Sequence, residues 1–134
     1  MKNKGFTVIE MLVVLSMIGA IALIIMPQLI KAKFKADRVK CLANERALAH
    51  ALEIRLNSTG IYPDILQDLI TENLLEIEIP VCPSNGQSYS GHYEVSDEKD
   101  RYTISCPGIH YEFLNMREGY PQYSSKDGLN LGEN

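Results

Sequence analysis

The 134-residue sequence lacks the short signatures of catalysis that can be read directly from a chain. It contains no G-x-S-x-G, no H-E-x-x-H, no phosphate-cradling glycine loop and no dinucleotide fingerprint, so hydrolase, metalloprotease, nucleotidase and dehydrogenase readings lose their anchors. No catalytic residue is assigned. There is no C-x-x-C pair, so the three cysteines do not spell a zinc finger, and no internal repeat is visible. Charge is nearly missing from residues 6–30, FTVIEMLVVLSMIGAIALIIMPQLI, where Glu10 is the only charged side chain and Pro27 the only helix breaker. Glycine and proline are both missing from residues 31–56.

What is present fixes a class. At about 1.5 Å per residue, residues 6–30 are long enough to cross a hydrocarbon core of roughly 30 Å as one helix. Lys2 and Lys4 followed by Ala20 and Ala22 imitate a cleaved secretory signal, but the run is too long and stays apolar through Met26. Glu10 then needs explaining, because a carboxylate in hydrocarbon is expensive unless something pairs with it. Charge is split unevenly: residues 1–58 carry +5 and residues 59–134 carry −9, within a total of −4. So acidic a C-terminal part repels phosphate backbones, which disfavours direct nucleic-acid binding by it alone. It is also small for an independent core and calls for a staple or a borrowed helix.

The opening KGFTVIEMLVVLSMIGAIALIIMP resembles the leader and first helix of type IV pilins and pseudopilins. The resemblance covers roughly the first 30 residues closely and the rest more loosely. It implies that a prepilin peptidase cuts between Gly5 and Phe6 and methylates the new N-terminus at Phe6. It also implies a role for Glu10 in subunit assembly, neutralising the α-amino group of a neighbour's Phe6, since the pair is far cheaper in low dielectric than either charge alone. The bland alternative leaves Glu10 near the headgroups, favouring the helix dipole. Lys31, Lys33, Lys35, Arg38 and Lys40 follow the span while only Lys2 and Lys4 precede it, which taken alone would place the C-terminal part in the cytoplasm. The resemblance implies the reverse: a single pass through a bacterial inner membrane, leader inside and head outside.

The helix is expected to continue through residues 31–58. Phe34, Cys41, Leu42, Leu48, Ala49, Leu52 and Leu56 gather in one arc, suited to covering the chain's own sheet. Ala32, Ala36, Ala43, Ala47, Ala51 and Ile54 form an opposite arc that permits close approach of a neighbouring helix. His50 on that face reads as a polar interruption. Pro27 is expected to weaken or kink the helix.

Beyond the NSTGIYP turn, residues 64–75 read as a short helix and residues 76–80 as an extended piece. GHYEVS and RYTISC read as a hairpin around Asp97, Glu98, Lys99 and Asp100, with Tyr93 and Val95 on one face and Tyr102, Ile104 and Cys106 on another. A third strand is expected over residues 109–113 and a loose or edge-covering polar tail from Asn115 onward. CPSNG, a hairpin and ISC with a following histidine resemble the C-terminal half of competence and type II secretion-like pseudopilins. A disulfide between Cys82 and Cys106 suits a domain outside the cytoplasm and would contribute about 3 kcal/mol on the chain-entropy model. The rival is a metal site using Cys82, Cys106, His110 and His92; the disulfide is favoured over it, and no metal or cofactor is assigned. Cys41 reads as a buried small hydrophobe. Asp127, Asn130 and Glu133 faintly suggest calcium but lack EF-hand spacing, and an acidic tail is the preferred reading.

The expected protein is thus an α+β, pilin-like chain: leader 1–5, membrane-spanning assembly helix 6–30, amphipathic continuation 31–58, and a small head, 59–134, whose antiparallel sheet packs on the helix's C-terminal half. Its expected function is to polymerise, with itself and other pilins, into a filament of a type II secretion, competence or type IV pilus system. The implied partners are the prepilin peptidase, an assembly platform with its ATPase, and the membrane. The alternative is a single-span anchored protein whose acidic head binds a partner without polymerising.

Overall fold

The computed structural model describes residues 5–75 and 78–133. The basic leader residues Lys2 and Lys4, and Glu76 and Ile77 of the expected extended piece, lie outside the described residues. The chain divides into two compact units, residues 1–33 and 34–134.

One α-helix, α1 (Val8–Thr59), runs through both. Its apolar N-terminal part, in the first unit, is long and apolar enough to cross a membrane, and none of it is buried. Ile9, Leu12, Leu15, Ile18 and Leu23 are all exposed, which water does not tolerate as one contiguous patch and lipid does. The helix continues through Pro27, whose missing N–H leaves the carbonyl four residues earlier without its usual donor.

In the second unit, residues 34–59 of α1 carry the expected apolar stripe. Cys41, Leu48, Ala49 and Leu52 are buried and Phe34, Leu42 and Leu56 half-buried. Two acids share that face, Asp37 and Glu45, each one turn from Cys41 and buried. The opposite arc is exposed at Ala32, Ala36, Ala43, Ala47 and Ile54, whereas Ala51 turns inward. His50 is exposed, as a polar interruption should be.

The sheet that packs on this helix has four antiparallel strands in sequence order: β1 (Tyr93–Val95), β2 (Tyr102–Ser105), β3 (Gln122–Ser124) and β4 (Gly128–Asn130). The expected hairpin is β1–β2, in the register Tyr93↔Ile104 and Val95↔Tyr102, so Tyr102 and Ile104 reach the core beside Leu48 and Leu52. Tyr62 meets Tyr102 edge-on with ring centroids 4.8 Å apart, and its hydroxyl donates to Glu53 at 2.9 Å.

Two expectations are corrected, and the form of the tail is decided. The helix in residues 64–75 shrinks to one turn, α2 (Asp68–Thr71), although Leu66 and Leu69 still fill the core. Residues 109–113 are no strand: His110–Leu114 is a helical turn, α3, closed by Asn115 in the left-handed region at φ 54°. The reason is positional, since the free edge of β2 is taken by β3 through Ile104↔Tyr123. The tail supplies that strand and β4, so of its two expected forms it takes the edge-covering one. Arg38 holds Glu133 at 2.7 Å and Arg117 N–H donates to the Gly132 carbonyl at 3.1 Å. Gly132 has φ 63°, and a Cβ there would run into the Tyr120 ring.

Candidate functional site

At the N-terminal end, Gly5, Phe6 and Thr7 precede α1 in non-helical, exposed backbone. Thr7 and Glu10 form a reciprocal cap. The Thr7 N–H and hydroxyl both donate to Glu10 Oε2 at 2.8 Å, and the Glu10 N–H donates to Thr7 Oγ1 at 3.3 Å. This T-x-x-E box satisfies two donors that a helix start leaves without partners. Glu10 therefore has a partner inside its own subunit, which neither reading of the sequence had supplied.

The second site is buried in the head. Cys41 comes from α1, Cys82 from the loop before the sheet, Cys106 from the end of β2 and His110 from the start of α3. Their exposures are 0, 0, 1 and 0%. The three sulfurs and the imidazole nitrogen lie within 4.8 Å of one another. Cys41 Sγ is 2.9 Å from Cys82 Sγ, 3.3 Å from Cys106 Sγ and 3.0 Å from His110 Nε2. Cys82 Sγ is 3.3 Å from the same nitrogen.

Local sequence builds the convergence. Cys-Pro occurs twice, at Cys82-Pro83 and Cys106-Pro107, the first followed by a turn over residues 83–85 and the second by a bend over 108–109. Around Cys82, its N–H donates to the Gln87 carbonyl at 2.8 Å while Gly86 N–H donates to the Cys82 carbonyl at 2.7 Å. After Cys106, Gly108 N–H donates to the Cys106 sulfur at 3.3 Å. Only glycine fits at position 108, where a Cβ would stand 2.5 Å from both Cys82 Sγ and Ser84 Oγ and 2.9 Å from His110 Nε2.

The cluster polarises its members. Hydrogen bonds from Cys106 first, then Cys41, hold the Cys82 thiol far below its ordinary range, so its sulfur is the acceptor. The Cys106 thiol, as donor to Cys41 and Cys82, is pushed far up. Contact with Cys106 pulls Cys41 down, but contact with Cys82 and burial outweigh it and push Cys41 up to about 12.

The expected Cys82–Cys106 disulfide is not formed in this structure. All three cysteines are free, and these two sulfurs stand 3.8 Å apart against the roughly 2.05 Å of a bond. The physical difference is that Cys41 and His110 enter the same space, so each sulfur has three neighbours rather than one. His92 is exposed and takes no part; Cys41 takes the place expected for it.

Comparison with known proteins then separates the candidate classes. Residues 1–26 match the family described as the prokaryotic N-terminal methylation motif. A type II secretion system core protein G of Escherichia coli is 31% identical over 138 residues, spanning 98% of this chain and 92% of its own length. The core protein G of Klebsiella michiganensis is 31% identical over 125 residues, covering 89% of this chain and 87% of that one. The chain belongs to the type II secretion core protein G family of pseudopilins. A type IV major pilin of Myxococcus xanthus is 30% identical over 95 residues, 71% of this chain and 38% of the pilin. No solved structure matches.

Membership places this pseudopilin among structural, pilin-type subunits, with one long apolar N-terminal helix among the described residues. Of the residues singled out in its sequence, Gly5, Phe6 and Glu10 lie together at the start of the chain, and Cys82, Cys106 and His110 lie together in the head. Sequence reasoning missed Cys41 and Gly108 as members of the second group. For Gly108 the available signal was its place inside the C-x₃-H spacing of Cys106 and His110; for Cys41 there was none.

Proposed function

We propose that this pseudopilin is cut between Gly5 and Phe6, methylated at Phe6, and polymerised with itself and other pilins into the filament of a type II secretion system. The observation that carries the proposal is the pairing of an exposed scissile segment with Glu10 on a wholly unburied apolar helix. Both bonds from Thr7 fall on Oε2 of Glu10, so the subunit orients its carboxylate and offers Oε1 to the α-ammonium of a neighbour's Phe6. Two charges that are costly alone in lipid cancel, and one such pair per subunit fixes the register of stacked helices. The exposed Ala32, Ala36, Ala43 and Ala47 let neighbouring helices approach closely. Drawing subunits out of lipid requires work, which an assembly platform and its ATPase would supply. In this reading the chain crosses the inner membrane once, N-terminus in the cytoplasm and head outside. The relatives named for type II secretion support that system over DNA uptake or motility.

One observation favours the alternative of an anchored subunit that does not polymerise: Glu10 is already satisfied within its own chain by Thr7. Glu10→Gln separates the two, because glutamine keeps the cap and loses the charge. The filament reading expects Glu10→Gln to remain processed and membrane-bound while filaments on sheared or purified preparations disappear, and Thr7→Val to leave filaments, with a helix start weakened by about 1 kcal/mol. Filaments formed normally by Glu10→Gln would leave Glu10 as a helix cap and remove the assembly role.

A further inference from the structure

We propose that Cys41, Cys82, Cys106 and His110 bind one zinc ion in a closed, structural Cys₃His site that ties α1 to the end of β2 and to α3. The argument starts from donor chemistry. Three thiols and an imidazole are the soft and borderline ligands that zinc takes in four-coordinate sites. Bonds of about 2.3 Å to sulfur and 2.0–2.1 Å to nitrogen give tetrahedral edges of about 3.8 Å between sulfurs and about 3.6 Å from sulfur to nitrogen. The Cys82–Cys106 edge is 3.8 Å already, the Cys82–His110 edge is 3.3 Å, and the shortest, Cys41–Cys82, is 2.9 Å. The ion enters by opening these edges by less than about 1 Å.

The surroundings are those of a ligand site rather than of a pair of thiols. Gly108 leaves the space that any Cβ would close. Its N–H, and the Ser84 hydroxyl 3.1 Å from Cys82 Sγ, bond two of the sulfurs from outside, as partners of metal thiolates do. His110 presents Nε2 to the sulfurs, and its buried Nδ1 has no hydrogen-bond partner; zinc on Nε2 fixes the ring proton on Nδ1. A Cys82–Cys106 disulfide would leave the Cys41 thiol and the His110 imidazole, 3.0 Å apart, bonded only to each other, whereas a tetrahedral ion uses all four donors. With four protein ligands and full burial no coordination position is left open, so the site holds structure and does no chemistry. On binding, each thiol that ligates gives its proton to solvent and the ion takes three thiolates and a neutral imidazole.

The test uses the full-length pseudopilin in detergent, with metal content, intact mass and Co²⁺ spectra as readouts. The expected result is one zinc per chain, a mass corresponding to three reduced cysteines, and thiols that become reactive only after chelation. Co²⁺ exchanged into the chelated protein should give the intense visible bands of tetrahedral sulfur coordination. Cys82→Ser should lose these bands, and His110→Cys should still hold one Co²⁺ with a shifted charge-transfer band, which covers the case in which Cys82→Ser does not fold. A chain two mass units lighter than its reduced form and free of zinc would overturn the proposal in favour of a disulfide. Three reduced thiols that bind neither Zn²⁺ nor Co²⁺ would overturn it outright, and iron in the isolated protein would overturn the choice of metal. None of these outcomes depends on filament formation.

Discussion

Glu45 stands one turn after Cys41 on α1, fully buried, with neither carboxylate oxygen hydrogen-bonded. Burial first, and the Cys82 sulfur second, push its carboxyl from the ordinary 4.5 up to about 9. The folded state therefore keeps a proton that the unfolded state has lost across that window, and stability falls as pH rises from about 4.5 towards about 9. Glu45→Gln, which cannot ionise, should be more stable than the natural chain at pH 8 and close to it at pH 5. Urea denaturation of both chains at the two pH values, in chelator so that zinc does not titrate alongside, checks this. Equal differences at both pH values would mean that Glu45 is charged in the fold. Gly108 makes a second argument at this scale. Gly108→Ala should abolish Zn²⁺ binding, because the added Cβ would stand 2.5 Å from Cys82 Sγ and 2.9 Å from His110 Nε2 and push both ligands out of place; retention of one zinc per chain would refute that.

Among the elements, the head half of α1 places more residues in the buried core than any other. Leu48 and Leu52 are completely buried among Tyr102, Ile104 and Leu69, and Leu48→Ala should destabilise the fold by about 2–5 kcal/mol, seen as a lower denaturation midpoint at unchanged slope. A loss under about 0.5 kcal/mol would mean the site collapses around the gap. This stripe was legible in the sequence because apolar residues recur at helical spacing. The β1–β2 hairpin was legible because YEV and YTIS alternate. What stayed hidden has identifiable causes. β3 and β4 are half-buried three-residue strands of polar composition, so they carry no periodicity to read. Asp37 and Glu45 break the apolar pattern on the buried face. The fourfold cluster joins residues 41, 82, 106 and 110, and no local spacing predicts that Cys41, from a helix, completes a set begun by two Cys-Pro pairs.

For the molecule as a whole, the two units answer to different solvents. The apolar part of the first exposes Phe6, Ile9, Leu12 and a run of similar side chains as far as Ile30, whereas the second encloses its core of tyrosines, leucines and isoleucines. The full chain should remain with membranes through alkaline carbonate extraction and partition into the detergent phase on cloud-point separation; recovery in the aqueous fraction would contradict a membrane-spanning α1. Within the head, the strand order β1-β2-β3-β4 leaves two outer strands, each three residues long, one bearing the exposed Glu94 and the other beginning at Gly128 and ending at Asn130. So short and polar a rim offers little template for edge-to-edge sheet growth. Heads crowded at high local concentration can therefore lie side by side without seeding cross-β aggregates.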